Sequence, residues 1–145
     1  ESLADGKVVA IRGLGGFHLA VDGCSADPVA LLRRRKNRPE KPLAIMVADL
    51  TNLQQLCHVS AKEKQLLLSP EHPIVLLKKR TDAELAPNLA PGIDEIGVML
   101  PYTPLHHLLF AEKKCPAYRV QGVLSENLTR RNYANRPLFQ DRLIL

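Results

Sequence analysis

The residues best equipped for chemistry stand together at 33–42, Arg33-Arg34-Arg35-Lys36-Asn37-Arg38-Pro39-Glu40-Lys41-Pro42. Six cations accompany one carboxylate there, so this run alone carries a charge equal to the formal +5 of the whole chain. A field so concentrated calls for an anion. Upstream lies a glycine-rich turn, Gly13-Leu14-Gly15-Gly16. Backbone amides in such a turn and cations on long side chains are complementary ways to hold phosphate oxygens. The pairing therefore points to a phosphate-bearing ligand held between the backbone amides of the turn and a set of Lys and Arg side chains, although the charge run by itself reads as a solvated basic face. Arg33, Arg34 and Arg35 are assigned to the surface. The turn is neither a Walker A loop nor a dinucleotide fingerprint, because no Gly-Lys-Ser/Thr follows and the next helix begins too late.

Other candidates are more isolated. His18, beside the glycine turn, is placed to touch a substrate. Thr103 precedes Pro104 and heads a helix, where its hydroxyl serves as a cap and the first amides are open to an anion. His106 and His107 are adjacent, point to different sides of a helix and form no metal pair; one packed and one exposed ring is expected. Cys24, Cys57 and Cys115 are an odd number at wide spacings, which supports neither a disulfide framework nor a CxxC metal site and predicts buried or idle thiols.

The elements that must position these residues alternate. Lys7–Arg12 reads as a buried strand running into the glycines, and Phe17–Asp22 as a second. Asp27-Pro28 predicts a helix start whose apolar stripe, Val29, Leu31 and Leu32, leads into the cations. Part of the cluster thus complements a helix C-terminus. Pro39 and Pro42 end that helix and stiffen the segment carrying Arg38 and Lys41. A strand follows over Leu43–Val47, then helices at Leu50–Cys57 and Ser60–Leu68, the latter with a Ser60/Glu63 capping box. Strands at Pro73–Leu77 and Ile96–Leu100 flank a loop at 85–94, and Thr103-Pro104 opens a last helix. The alternation predicts an α/β layered fold.

The chain of 145 residues, 46% hydrophobic and 24% charged, suits one soluble domain with a core. Three Tyr, three Phe and no Trp offer little for base stacking, which counts against a nucleic-acid surface. No apolar run reaches membrane-spanning length and no secretory pattern opens the chain, so a cytoplasmic protein with no membrane partner is expected. Beyond Ala117 the character changes: residues 118–145 hold five Arg against one Glu and one Asp, and no strand or helix start is recognisable. Residues 1–117 are read as the domain and 118–145 as its divergent or truncated ending.

Five blocks, in order, carry a resemblance: Gly13-Leu14-Gly15-Gly16-Phe17-His18-Leu19-Ala20, the run from Arg33 through Pro42 into Leu43-Ala44-Ile45-Met46-Val47, Pro73-Ile74-Val75-Leu76-Leu77, Leu89-Ala90-Pro91-Gly92, and Gly97-Val98-Met99-Leu100-Pro101-Tyr102-Thr103-Pro104-Leu105-His106-His107-Leu108-Leu109. Together they resemble the YrdC-like domain of the hydrogenase-maturation carbamoyltransferases HypF, and the match covers most of residues 7–117. The resemblance implies a twisted mixed sheet flanked by helices, incomplete at its end, with the family's final strands missing. It implies that a carbamate oxygen attacks the α-phosphate of ATP and pyrophosphate leaves. Lys36 and Arg38 would be catalytic as the family's Lys-x-Arg element, and Lys41, Gly15, Gly16, His18 and Thr103 would complete a site for ATP, carbamate and Mg²⁺. In HypF the carbamate comes from carbamoyl phosphate. The carbamoyl group passes to the C-terminal cysteine of HypE on the way to the cyanide ligands of [NiFe] hydrogenase. The family's late Ser-x-Asn element falls on Ser125 and Asn127, or, in another register, Gly122-Val123-Leu124-Ser125 aligns with Gly-Asn-Leu-Ser and puts Val123 at the asparagine. Threonylcarbamoyl-AMP synthases of tRNA modification, in the same wider family, commonly carry arginine where Met99 aligns, so Met99 favours the HypF branch. The alternatives are such a synthase-like domain, a basic module binding RNA, double-stranded RNA included, and an inactive remnant.

Overall fold

The computed structural model describes residues 2–111 and the backbone of 121–123. Strands β1 (Val9–Arg12) and β2 (Phe17–Ala20) pair antiparallel as a hairpin, with Val9 opposite Ala20 and Arg12 opposite Phe17, so the glycine turn is the hairpin loop. Helix α1 (Ala26–Lys36) begins at Ser25, ahead of the expected Asp27 start. The cause is Asp22, whose carboxylate accepts from the Cys24 amide at 3.0 Å and the Ser25 hydroxyl at 3.2 Å and turns the chain into the helix there. Asp27 then sits in the first turn, where its charge suits the helix dipole. The helix stops at Asn37, which adopts the left-handed conformation at φ 51° and ψ 45°.

Strand β3 (Ala44–Met46) is followed by α2 (Leu50–Leu56), capped by the Asp49 carboxylate, and α3 (Ala61–Leu67), whose Ser60/Glu63 capping box forms as expected. Strand β4 (Val75–Lys78), strand β5 (Glu95–Met99), helix α4 (Pro104–Ala111) and strand β6 (Gln121–Val123) complete the order. One sheet runs β4-β5-β3-β6, with β3 and β5 parallel and the outer pairs antiparallel. The expected α/β fold with a mixed sheet is therefore present, with the β1–β2 hairpin as a separate ribbon whose second strand contacts β6. Strand β6 amends the reading of the tail. Gln-Gly-Val is too short to show alternation, and its identity as a strand comes only from pairing with β3, Ile45 opposite Gly122.

The core lies between this sheet and the helices, with Leu32, Leu43, Ile45, Leu53, Leu77 and Ile96 fully buried. Val29 and Arg33 are one helical turn apart on α1 and both face inward. Arg33, assigned to the surface from its place in a charge run, is in fact 7% exposed. Its guanidinium makes five hydrogen bonds to backbone carbonyls: Nε to Asn88 at 2.7 Å, Nη1 to Arg38, Pro39 and Lys41 at 2.9, 3.1 and 3.0 Å, and Nη2 to Leu89 at 3.0 Å. Helical phase, not charge, decided its place.

Ser60 stands at an exposed helix start with both halves of its capping box made, so Ser60→Ala should cost about 1 kcal/mol in urea unfolding with an unchanged denaturant slope.

Candidate functional site

Alternation along β2 turns His18 inward, 6% exposed. Its Nε2 lies 3.2 Å from the Tyr102 hydroxyl, in the segment that leaves β5. Gly13 makes that meeting possible, because a Cβ there would overlap the His18 imidazole and stand 3.1 Å from the Tyr102 oxygen. The Gly13 amide donates to the Gly16 carbonyl at 2.7 Å and closes the hairpin loop. Gly15 and Gly16 lie at its exposed tip, with open space where a side chain would stand.

Three imidazoles gather round Tyr102. The His106 ring meets it edge-on at 4.5 Å and lies 5.7 Å from His18, while His72 stacks on it at 5.8 Å. His72 holds the left-handed conformation, φ 45°, which only a few per cent of non-glycine residues adopt, directly before Pro73. Thr103 caps α4: its Oγ1 accepts from the His106 amide at 3.2 Å and its carbonyl from the His107 amide at 3.1 Å. His106 is buried and His107 exposed, the division expected from adjacency.

Electrostatics join this cluster to the basic run. Burial, and secondarily the charge of Lys36, hold the His18 pKa below its ordinary value, so the imidazole lies within electrostatic reach of the Lys36 ammonium. His106 is pushed down to about 4, chiefly by burial and then by His18 and His107. The imidazoles of His18 and His106 are thus neutral at pH 7 and add no charge around Lys36. Burial, then the charge of Arg38, lowers the Arg33 pKa.

Of the residues singled out from the sequence, His18 and the glycine turn are brought together, and the charge of Lys36 reaches His18. Thr103 joins them through His106. Arg38 is half-buried next to Arg33, and Lys41 is exposed, with its carbonyl held by Arg33. Ser125 and Asn127 lie outside the described residues, as does Cys115. Cys57 is buried, with its thiol pushed up to about 11 by desolvation, and carries no nucleophile's character. Among the described residues no group of three His, Cys, Asp or Glu side chains could hold a metal. A separate groove of about 590 Å³ along the first turns of α1 has Asp5, Asp27 and Arg34 in its wall and none of the candidate residues. Sequence reasoning missed Tyr102, His72 and Arg33 as parts of this region. The left-handed backbone at His72 has no sequence signature, whereas the inward phase of Arg33 was readable from Val29.

A mixed β-sheet with flanking helices, an accessory hairpin and a basic loop after the first helix defines the Sua5/YciO/YrdC class. That family's model, described as telomere recombination, matches residues 1–134, and the chain belongs to the family. Within it the chain is similar to the HypF proteins. It is 54% identical over 112 residues to Carbamoyltransferase HypF2 of Cupriavidus necator, which is 76% of this chain and 14% of that protein. The crystal structure of full-length HypF in its phosphate- and nucleotide-bound form superposes with a TM-score of 0.80 at 46% identity, over 89% of this chain and 16% of that one. P. abyssi Sua5 shares the fold, with a TM-score of 0.74 at 21% identity over 88% of this chain and 36% of that one. The chain spans about 14% of the length of curated HypF relatives. Among the described residues no helix is long and apolar enough to cross a membrane.

Two outcomes follow from the cluster's geometry. Gly13→Ala should displace His18 from Tyr102 and lower stability by about 1–3 kcal/mol, measured by urea unfolding, with a changed His18 ring signal in NMR spectra. The folded His106 pKa of about 4 lies below its unfolded value of 6.5, so in that interval the unfolded chain takes up a proton the folded one refuses. Stability should therefore fall as pH drops from about 6.5 towards 4, and His106→Phe should flatten that slope in unfolding midpoints taken across the range.

Proposed function

We propose that this chain is the carbamate-adenylating unit of a HypF-type carbamoyltransferase, binding ATP and carbamate and forming carbamoyl-AMP. The observation that carries the reading is 46% identity, over 89% of this chain, to a HypF solved with phosphate and nucleotide, in a chain whose glycine turn packs against His18. In the reaction a carbamate oxygen forms a bond to the α-phosphorus of ATP, the bond from that phosphorus to the bridging oxygen breaks, and pyrophosphate departs with the electron pair. Negative charge builds on the phosphoryl oxygens and the leaving group, so the protein's task is to set cations in place beforehand.

Lys36 and Arg38 take that role, Arg38 as a planar fork for two oxygens and Lys36 as a point charge, with Lys41 offering a third cation from the exposed loop. The amides of Gly15 and Gly16 and the neutral His18 face the smaller substrate. Thr103 fixes the start of α4 behind His18, and Ser125 and Asn127 supply the contacts of the Ser-x-Asn element. The described residues offer no protein cage for a divalent cation, so Mg²⁺ enters as the chelate of the nucleotide phosphates. Carbamoyl phosphate as the carbamate source, and HypE as the acceptor on the way to hydrogenase cyanide ligands, belong to the longer protein of which this reading makes the chain one unit.

Met99 supports carbamate over threonylcarbamate. It is 4% exposed and packs on Met46, with Tyr102 and Phe110 against the pair, an apolar setting at the position where threonylcarbamoyl-AMP synthases commonly carry arginine.

Isothermal titration should give saturable ATP binding. Lys36→Ala and Arg38→Ala should each weaken it by about 1–3 kcal/mol, the scale of one charged hydrogen-bond partner. Unchanged dissociation constants would remove these residues from the site, and steep salt dependence without nucleotide preference would favour an RNA reader.

A further inference from the structure

Arg33 is the buried charge that adenylation, as assigned above, leaves unused. Its five acceptors are all backbone carbonyls, and among the described residues no carboxylate pairs with it. The choice of partner matters. A carboxylate would cancel the guanidinium charge, whereas carbonyl dipoles solvate it and leave it intact. A helix end supplies more of the same, since Arg33 lies in the last turn of α1, where the dipole is negative.

The five bonds also have a direction. Three go to Arg38, Pro39 and Lys41, the stretch that carries two of the three candidate phosphate cations. Two go to Asn88 and Leu89 in the loop before β5. That loop is itself anchored: Asn88 Nδ2 donates to the Ala26 carbonyl at 2.9 Å, and the Leu43 amide donates to Leu89 at 2.9 Å. One side chain thus ties the basic loop to the start of α1 and the start of β3.

We propose that Arg33 is the positioning residue of the phosphate site, fastening residues 38–41 in the shape that binds a polyphosphate and adding a fixed positive charge beneath them. The proposal rests on the adenylation reading for the identity of the polyphosphate, but its structural half stands apart from it. Lysine is a poor substitute, because three donors on a point charge cannot satisfy five carbonyls spread over two loops.

The test separates positioning from general destabilisation. Arg33→Met is compared with Leu77→Ala, a core truncation in β4, at a temperature where both are folded. Arg33→Met should weaken ATP and inorganic tripolyphosphate binding at least tenfold, and should open the Glu40–Lys41 bond to Glu-C protease at least tenfold faster. Leu77→Ala should change neither by more than about twofold. Arg33→Lys should fall between and should carry the comparison if Arg33→Met does not fold. Wild-type affinity in folded Arg33→Met, or equal losses in Arg33→Met and Leu77→Ala, would overturn the proposal. A wild-type chain that ignores ATP would defeat the adenylation reading alone, since tripolyphosphate binding and the Glu-C rates still decide the role of Arg33.

Discussion

A guanidinium taken out of water and given only carbonyls for company is the constraint around which the basic loop is organised. Burying an ion costs several kcal/mol unless its donors are satisfied, and the five hydrogen bonds of the Arg33 guanidinium draw on the carbonyls of two loops at once. Neither loop can drift without stranding a charge. A segment with two prolines and several like charges, which would otherwise spread into solvent, is thereby held to a single path. The left-handed Asn37 begins that path and the Leu89 carbonyl, shared with the Leu43 amide, ends it at the sheet.

Across the hairpin loop the logic is reversed. His18, His72, Tyr102 and His106 form a polar cluster, and the two imidazoles with depressed pKa values carry no charge at neutral pH. Several of its ring nitrogens are buried without a hydrogen-bond partner among the described residues, including His18 Nδ1 and both nitrogens of His106. Such groups are expensive in a purely structural core, so their concentration around Tyr102 sets this corner apart from the aliphatic packing of Leu43, Ile45 and Ile96. Cations on one loop and neutral hydrogen-bonding rings next to the other divide the labour suited to a ligand with a charged end and a small polar end.

Much of this was legible beforehand. The capping box at Ser60, the cap at Thr103 and the buried-strand runs at Leu43–Val47 and Ile96–Leu100 rest on local rules, and the structure follows them. Asp22 was not legible as the origin of α1, because its two hydrogen bonds arise from a turn whose shape only the hairpin sets. Arg33 was misplaced because composition outweighed phase: four basic residues in succession read as a solvated face, though any helix must turn one of four inward. Of the candidate site, residue types and rough grouping came from the pattern. The Tyr102 and His72 contacts did not, since they join segments distant in sequence.

The way β3 is paired bears on how the chain acquires its structure at all. Its partner on one side is β5, and on the other β6, where Ala44 sits opposite Val123. The central strand is therefore completed only by segments synthesised much later, a topology rich in non-local pairings that implies slow folding and a transient exposed edge. A nascent chain halted before residue 121 would leave that side of β3 unpaired, so translation through β6 moves the sheet's outer position from β3 to β6.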